Sequence, residues 1–406
     1  MAISQSYQKV SIWQYKEFTF LLFASLLLSI GNKIYELLLP LIMYDLSGGS
    51  SIVMTSMRTA ELLPNLFFGI IVGIIVDRVN KKKWAMWMIF IQAVVLLCMY
   101  GMFGVHLYAP IIFYLFGFIL MTLNYGFFNT QVSLIKFSVP LPLLTSANAK
   151  FSFIETFVGI MGPVFLGGVL LFANKTQGLL ITVFLYFLAY LLIMNLSVNE
   201  PVKRGSKASF WFDFKEGWDV FKKNKALKTM TIFILFINCT MIVVSNTVLI
   251  FGTADLHLSN SILSITLSAA GVGGLVASLT INRFRIRLKL GVLFGHAIIG
   301  NSIAYFGLYF TNNLVVFALC LLLNGFSTTI YIICAYTFRH EQTPAEFMGR
   351  IGGLTGSLFR IGMPITMLFS GWMISWWGTS SIFISSAIIN ILIFIFYRRS
   401  LLWEIK

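Results

Sequence analysis

Apolar stretches of about 20 residues, separated by short polar or Gly- and Pro-containing segments, recur along the whole chain. They fall near 18–42, 52–76, 84–104, 110–130, 151–173, 179–197, 229–251, 262–281, 290–309, 314–337, 351–374 and 380–397. A helix of about 20 apolar residues crosses a hydrocarbon core of roughly 30 Å, so the pattern predicts twelve membrane-spanning helices. The longest polar stretch, Asn199 to Lys228, divides them six and six. The expected architecture is an all-α polytopic membrane protein. One six-helix half covers 1–198, a cytoplasmic linker 199–228, and a second half 229–406. Within the linker, Trp211, Phe214, Trp218 and Phe221 recur at helical spacing, with Lys215, Lys222, Lys223 and Lys225 at other positions. That is an amphipathic helix, lying either on an anionic membrane surface or against the bundle.

Composition agrees with a lipid-embedded chain. The 406 residues are 58% hydrophobic and 11% charged, with mean hydropathy +0.88, where soluble domains carry about 25% charge. A net charge of +15 would fit a nucleic-acid partner if it formed one patch, but its placement argues otherwise. With a cytoplasmic N-terminus, all but four of the 29 Lys and Arg residues fall in inner segments. Lys175 lies in an outer loop, and Lys33, Arg58 and Arg360 lie within spans. This positive-inside bias places both termini in the cytoplasm and leaves no nucleic-acid face. Met1 to Glu17 is polar, with no cleavage site before the first apolar run, so no removable signal peptide is expected.

Several classes of chemistry are not expected. Cys98, Cys239, Cys320 and Cys334 all fall in spans and have no ligand spacing, which gives no metal site and no disulfide frame. No G-x-x-x-x-G-K-S/T string for ATP is present, and no nucleophile, base and oxyanion donor share one membrane depth. Neither an enzyme nor a cofactor is expected.

The halves carry traces of a repeat. A shift of 201 residues sets Asn148, Ser152, Glu155, Gly159, Gly162 and Pro163 over Gly349, Gly353, Gly356, Arg360, Met363 and Pro364. A shift of 205 sets Asp77 and Arg78 over Asn282 and Arg283. Small residues on one helix face allow close helix approach, and two related halves are the anatomy of a rocking carrier.

The segment Gly73-Ile-Ile-Val-Asp77-Arg78-Val-Asn80-Lys81-Lys82 resembles the G-x-x-x-D-R-x-G-R/K-R/K signature of the major facilitator superfamily, with Asn80 in place of its second glycine. Asp213 to Leu227 (DFKEGWDVFKKNKAL) and Pro344 to Arg350 (PAEFMGR) are similar to segments of its macrolide-efflux and enterobactin-exporter branch. Gly162-Pro163-Val-Phe-Leu-Gly167-Gly168 resembles an exporter element that bends span five, with one extra residue; Gly159 lies one turn earlier. The resemblance implies an alternating-access transporter. Gly73, Asp77, Arg78, Lys81 and Lys82 would then form a gate, with Asp77 docking beside Arg350 at the start of span eleven. Two departures bear on coupling: span four has Asn124, Asn129 and Gln131 but no arginine, and Asn32 stands where branch members often carry Asp.

Charges inside spans call for a partner or a water-filled cavity, which makes Lys33, Glu36, Arg58, Glu61, Glu155 and Arg360 the coupling candidates. Lys33 and Glu61 are matched in depth, as are Glu36 and Arg58. Lys33 to Glu36 and Arg58 to Glu61 are also neighbours at i, i+3. Either Glu36 or Glu61 exchanges protons while its basic partner holds it ionised until the pairing changes, or the four form a static ion-pair cluster, with Lys33 reaching for the interface. Asn32, Asn124, Asn129 and His296 are the polar candidates for a cavity. The expected function is export of a hydrophobic or amphiphilic small molecule by proton antiport. The expected agent is a monomer in the bacterial cytoplasmic membrane, with lipids and protons as its other partners. A lysophospholipid or glycolipid flippase is the alternative, and a transporter-like sensor a third.

Overall fold

The computed structural model describes residues 11–64, 66, 79–105, 109–140, 143–197, 210–344 and 347–405. Among them the chain forms fourteen α-helices and no strand. The first six are α1 (Lys16–Leu46), α2 (Ser51–Leu62), α3 (Lys81–Gly104), α4 (Pro110–Ser138), α5 (Leu144–Phe172) and α6 (Gln177–Met194). The linker helix is α7 (Phe210–Lys223). The remainder are α8 (Lys225–Ile250), α9 (Asn260–Arg287), α10 (Leu290–Phe310), α11 (Leu314–Gln342), α12 (Met348–Leu358), α13 (Met363–Trp377) and α14 (Thr379–Arg398).

The polar punctuation between apolar runs starts helices. Ser50, Asn80, Asn224, Ser259 and Asn313 each accept a hydrogen bond from a backbone N–H two or three residues on, at 2.8 to 3.4 Å, capping α2, α3, α8, α9 and α11. Asn80 therefore has a local role where the superfamily signature has glycine.

Ten described helical segments are long and apolar enough to cross a membrane, and α5 makes an eleventh despite bending by 54° between Ser146–Gly162 and Val164–Phe172. The span expected at 52–76 is described only through α2 and residues 63, 64 and 66. The span expected over 351–374 is present as Ile351–Trp377, with a turn inside it. Residues 359–362 leave the helix, and α13 restarts with Pro364 at its second position, where the missing N–H has no intrahelical partner to lose.

In the first half, α1 packs on α6, α5 and α2, while α3 packs on α4 and α6. In the second, α11 lies between α9 and α10, and α14 packs on α10 and α8. Among the described residues, packing between the halves is carried mainly by two helix pairs, α5 on α9 and α2 on α13. The sequence shifts relate span five to span eleven and span two to span eight, so each pair is the counterpart of the other. The linker helix α7 packs on α12 and α8, with Phe221 buried in the second core and Trp218 against its ring.

Candidate functional site

Four charged side chains from α1 and α2 form one network. Arg58 is buried and sits between two carboxylates, donating to Glu36 and, at 2.8 Å, to Glu61. Glu36 also holds Lys33 at 3.1 Å. The depth-matched pair Glu36 and Arg58 is therefore present, whereas Lys33 bonds Glu36 rather than Glu61. Lys33 does not snorkel freely. Its stem lies across Gly162 of α5, where an added Cβ would stand 2.6 Å from Lys33 Cγ. Glu61 is fully buried, its side chain near the site of a Cβ on Gly117 of α4, while the Glu36 side chain keeps 19% of its surface exposed. Lys33 and Glu36 are the partly exposed members of this network, while Arg58 and Glu61 are buried.

The halves are sealed at the end that carries the 47–50 turn. Ser51 Oγ donates to the Gly371 carbonyl at 3.0 Å, and a Cβ at Gly371 would meet Thr55 Oγ1 and approach Ile52 Cα to 3.1 Å. On the other pair, Gly167 faces the Ser264 carbonyl, and Gly271 faces Met161 and Val164. Lys175 bonds Asp45 at 2.8 Å at the same end.

Toward the basic end the facing surfaces part. Ser152, Glu155 and Gly159, one face of α5, are exposed, and no atom lies within 4 Å of a Cβ built on Gly159, Gly352, Gly353 or Gly356. Arg360 lies at the inner limit of this opening, in the break between α12 and α13. Its Nη1 donates to the Tyr125 hydroxyl of α4 at 2.7 Å, bridging the two halves, yet its side chain is exposed. An exposed charge that contacts the opposite half lines an internal cavity rather than lipid. The break is held by Asn238, which donates to the Phe359 carbonyl at 3.0 Å and accepts from the Tyr331 hydroxyl at 2.8 Å. Glu155 and Glu36 lie within electrostatic reach of Arg360.

Other candidates are placed differently. Asn32 is buried in the first half, donating to Asn124 Oδ1 at 2.6 Å and accepting from the Tyr186 hydroxyl, a clamp joining α1, α4 and α6. Asn129 bonds back to the Tyr125 carbonyl at 2.9 Å, behind the tyrosine that meets Arg360. His296 is exposed on α10 beside Trp403, away from both helix pairs that join the halves. Lys82 donates to the carbonyls of Met194 and Leu196 at 2.8 and 2.7 Å, complementing the C-terminal end of α6. Lys81 stands at the start of α3. Gly73, Asp77 and Arg78 lie outside the described residues, as do the side chains of Pro163 and Arg350. Gly168 has open space at its Cβ position.

Tyr125 and Asn238 were not singled out from sequence. Tyr125 sits between flagged polar positions on α4, but nothing local marks it as the partner of a residue 235 positions away.

A family model described as the Major Facilitator Superfamily matches residues 21–300 and 231–402. Macrolide efflux protein A of Streptococcus pyogenes is 23% identical over 340 residues, covering 79% of this chain and 80% of that protein. The protein of the same name from Enterococcus faecalis is 24% identical over 335 residues, covering 78% and 99%. Among solved structures, the nucleoside transporter NupG aligns with a TM-score of 0.74 at 14% identity, covering 96% of this chain and 100% of that one. A bacterial homologue of the iron transporter ferroportin, in an inward-facing state, aligns with a TM-score of 0.70 at 16% identity, with 96% and 100% coverage. At these identities the structural likeness speaks for the fold.

Proposed function

The chain belongs to the Major Facilitator Superfamily, and from that premise we propose that it exports a hydrophobic or amphiphilic small molecule by alternating access in exchange for protons. The observation that carries this reading is the bridge from Arg360 to Tyr125, which lies beneath a seal at one end and faces an opening at the other. The positive-inside bias makes the open, basic end cytoplasmic, so this conformation faces inward, ready to load a compound from the cell or the inner leaflet. Two relatives named for macrolide efflux support export. Each chain supplies both halves of the pathway, so the monomer is the working unit.

Glu36 is the carboxylate that exchanges the proton. It is the more exposed acid of the α1–α2 network, and it is held by two cations, Arg58 and Lys33, of which Lys33 rests on Gly162 of α5. Rocking of α5 changes the seat of Lys33 and with it the charge around Glu36. The test is a substrate panel of lipophilic dyes and macrolides in inverted membrane vesicles, with and without an imposed proton gradient. Gradient-dependent accumulation that Glu36→Gln abolishes supports the reading. Accumulation of no compound, or equal accumulation by Glu36→Gln, contradicts it.

One observation favours a second reading. A lateral groove of about 830 Å³ between α8, α13 and α14 is lined by Phe236, Phe369, Trp372 and Trp376 and has Ser370 and Ser385 among its polar lining residues. Such a groove suits an acyl chain entering from the side, as a lysophospholipid or glycolipid flippase requires. Flipping of labelled lysolipid in proteoliposomes, without dye transport, would favour it over efflux.

A further inference from the structure

Helix α13 has two faces with different surroundings. Pro364, Met367, Gly371 and Ile374 recur at helical spacing and are buried. On that face Gly371 meets Ser51, Ile52 and Thr55 of α2, and the Pro364 carbonyl accepts from Thr59 at 3.5 Å. Ile365, Phe369, Trp372 and Trp376 fall on the other side of the helix and line the lateral groove of about 830 Å³ that α13 shares with α8 and α14. The helix that seals one end of the pathway therefore has a cavity at its back. Both of its ends leave the helical path. Residues 359–362 form a turn before it, and Gly378 after it has φ +75°, a conformation that a side chain would strain. α13 is thus a short rod with a joint at each end, free to tilt as a unit between α2 and the groove.

The chemistry of the groove defines its occupant. None of its lining residues is charged. Thr366, Ser370 and Ser385 donate to the carbonyls of Gly362, Met367 and Ile382 at 3.0, 2.7 and 3.1 Å, and Thr240 donates to Ile237 and Asn390. With those hydroxyls engaged within the protein, the walls offer hydrocarbon, and an apolar space of this kind does not hold water. From Gly362 to Trp377 the groove side of α13 runs roughly 22 Å, more than the half-thickness of a roughly 30 Å hydrocarbon core. Trp376 and Trp377 are exposed at the sealed end, where such residues mark the level of lipid headgroups. A single extended chain of one leaflet fits this shape, with its head at the tryptophans and its tail toward Gly362. Lipid tails are already apolar, so the chain gains no hydrophobic free energy by entering. What draws it in is the dispersion contact that an unfilled groove forfeits.

Resting on the alternating-access efflux reading, we propose that an acyl chain of an outer-leaflet phospholipid resides in this groove and backs α13 against α2. The chain is a fixture of the protein rather than its cargo. Tilting of α13 away from α2 narrows the groove, so the chain binds the sealed conformation better and shifts the protein toward it.

Two measurements on the full-length protein in proteoliposomes test this. The first uses phosphatidylcholine with a diazirine midway along one chain. After irradiation, mass spectrometry should find adducts at Phe369 and Ile389 severalfold above those at Phe184, an exposed residue of α6. The second follows the reaction of Thr59→Cys with a membrane-impermeant maleimide under an imposed proton gradient, quantified at that position itself. Ser385→Phe and Ile365→Trp each place a permanent side chain in the groove. Each should lower the groove adducts and slow the maleimide reaction about fivefold, with Phe184 adducts unchanged as the sign of a folded protein. Groove adducts no higher than those at Phe184, or a maleimide rate in both fillers equal to that of the unfilled protein, would overturn the proposal. So would movement of the photolabelled lipid between leaflets that the fillers abolish, because the chain would then be cargo. The maleimide reaction needs no transported compound, so failure to find an exported substrate counts against the efflux reading alone.

Discussion

The aliphatic stem of Lys33 on α1 lies over Gly162 of α5, and only the missing Cβ at that glycine leaves room for it. Gly162→Ala should therefore displace Lys33 from its 3.1 Å contact with Glu36 and destabilise the folded protein by about 1–3 kcal/mol through overpacking. Gly168→Ala, where nothing lies within 4 Å, should be neutral or stabilising by up to about 1 kcal/mol. Thermal unfolding in one detergent compares them. Equal midpoints for the two variants would remove the steric role of Gly162.

Arg58 is buried between Glu36 and Glu61, so its loss leaves charge without compensation in an apolar setting. Arg58→Leu should cost about 3–5 kcal/mol, enough to lower the yield of monodisperse protein sharply. Adding Glu61→Leu should restore much of that yield, because the fully buried acid no longer lacks its cation. Gel-filtration profiles of the single and double variants decide it, and a double variant worse than the single would refute the pairing argument.

The seal between α2 and α13 depends on Gly371, which is packed against Thr55 and Ile52. Gly371→Val places two methyl groups where there is no space and should wedge that end open. Cysteine at Thr59, now 8% exposed, should then react faster with a membrane-impermeant maleimide applied from outside. Unchanged reactivity with normal expression would mean that this contact does not close the pathway.

Orientation has its own check. Cysteine at Thr176, in the loop that holds Lys175, should be labelled only from outside intact cells. Cysteine at Arg287, exposed at the end of α9, should be labelled only after the membrane is opened. Both belong in a background lacking the exposed Cys98. Reversed labelling would invert the direction of export.

The helical architecture was legible in sequence because lipid demands long apolar runs whatever else the chain does. The i, i+3 charge spacing and the depth match of Glu36 with Arg58 were legible for the same reason: α1 and α2 are joined by a short turn, so sequence distance measures depth. Lys33 was misplaced relative to Glu61 because its position is set by α5, over 120 residues away and invisible to local pattern. Asn32 read as a cavity residue because polarity within a span looks the same whether it faces water or a buried partner. Its engagement with Asn124 and Tyr186 is tertiary information. The break beside Arg360 left a trace in Gly362 and Pro364, which hydropathy averages away. Tyr125 left none, since an aromatic residue is unremarked in a chain that is 16% aromatic.

Alternating access between the two ends is the central claim, and paired spin-label distances within one protein test it most directly. Labels at Leu46 and Trp377 report the sealed end, and labels at Ser146 and His340 report the basic end; all four positions are exposed. In the resting protein the first distance should be short and the second long. Under conditions that drive transport, the first should lengthen as the second shortens. Distances that stay fixed at both ends, or that change in the same direction, would contradict the account.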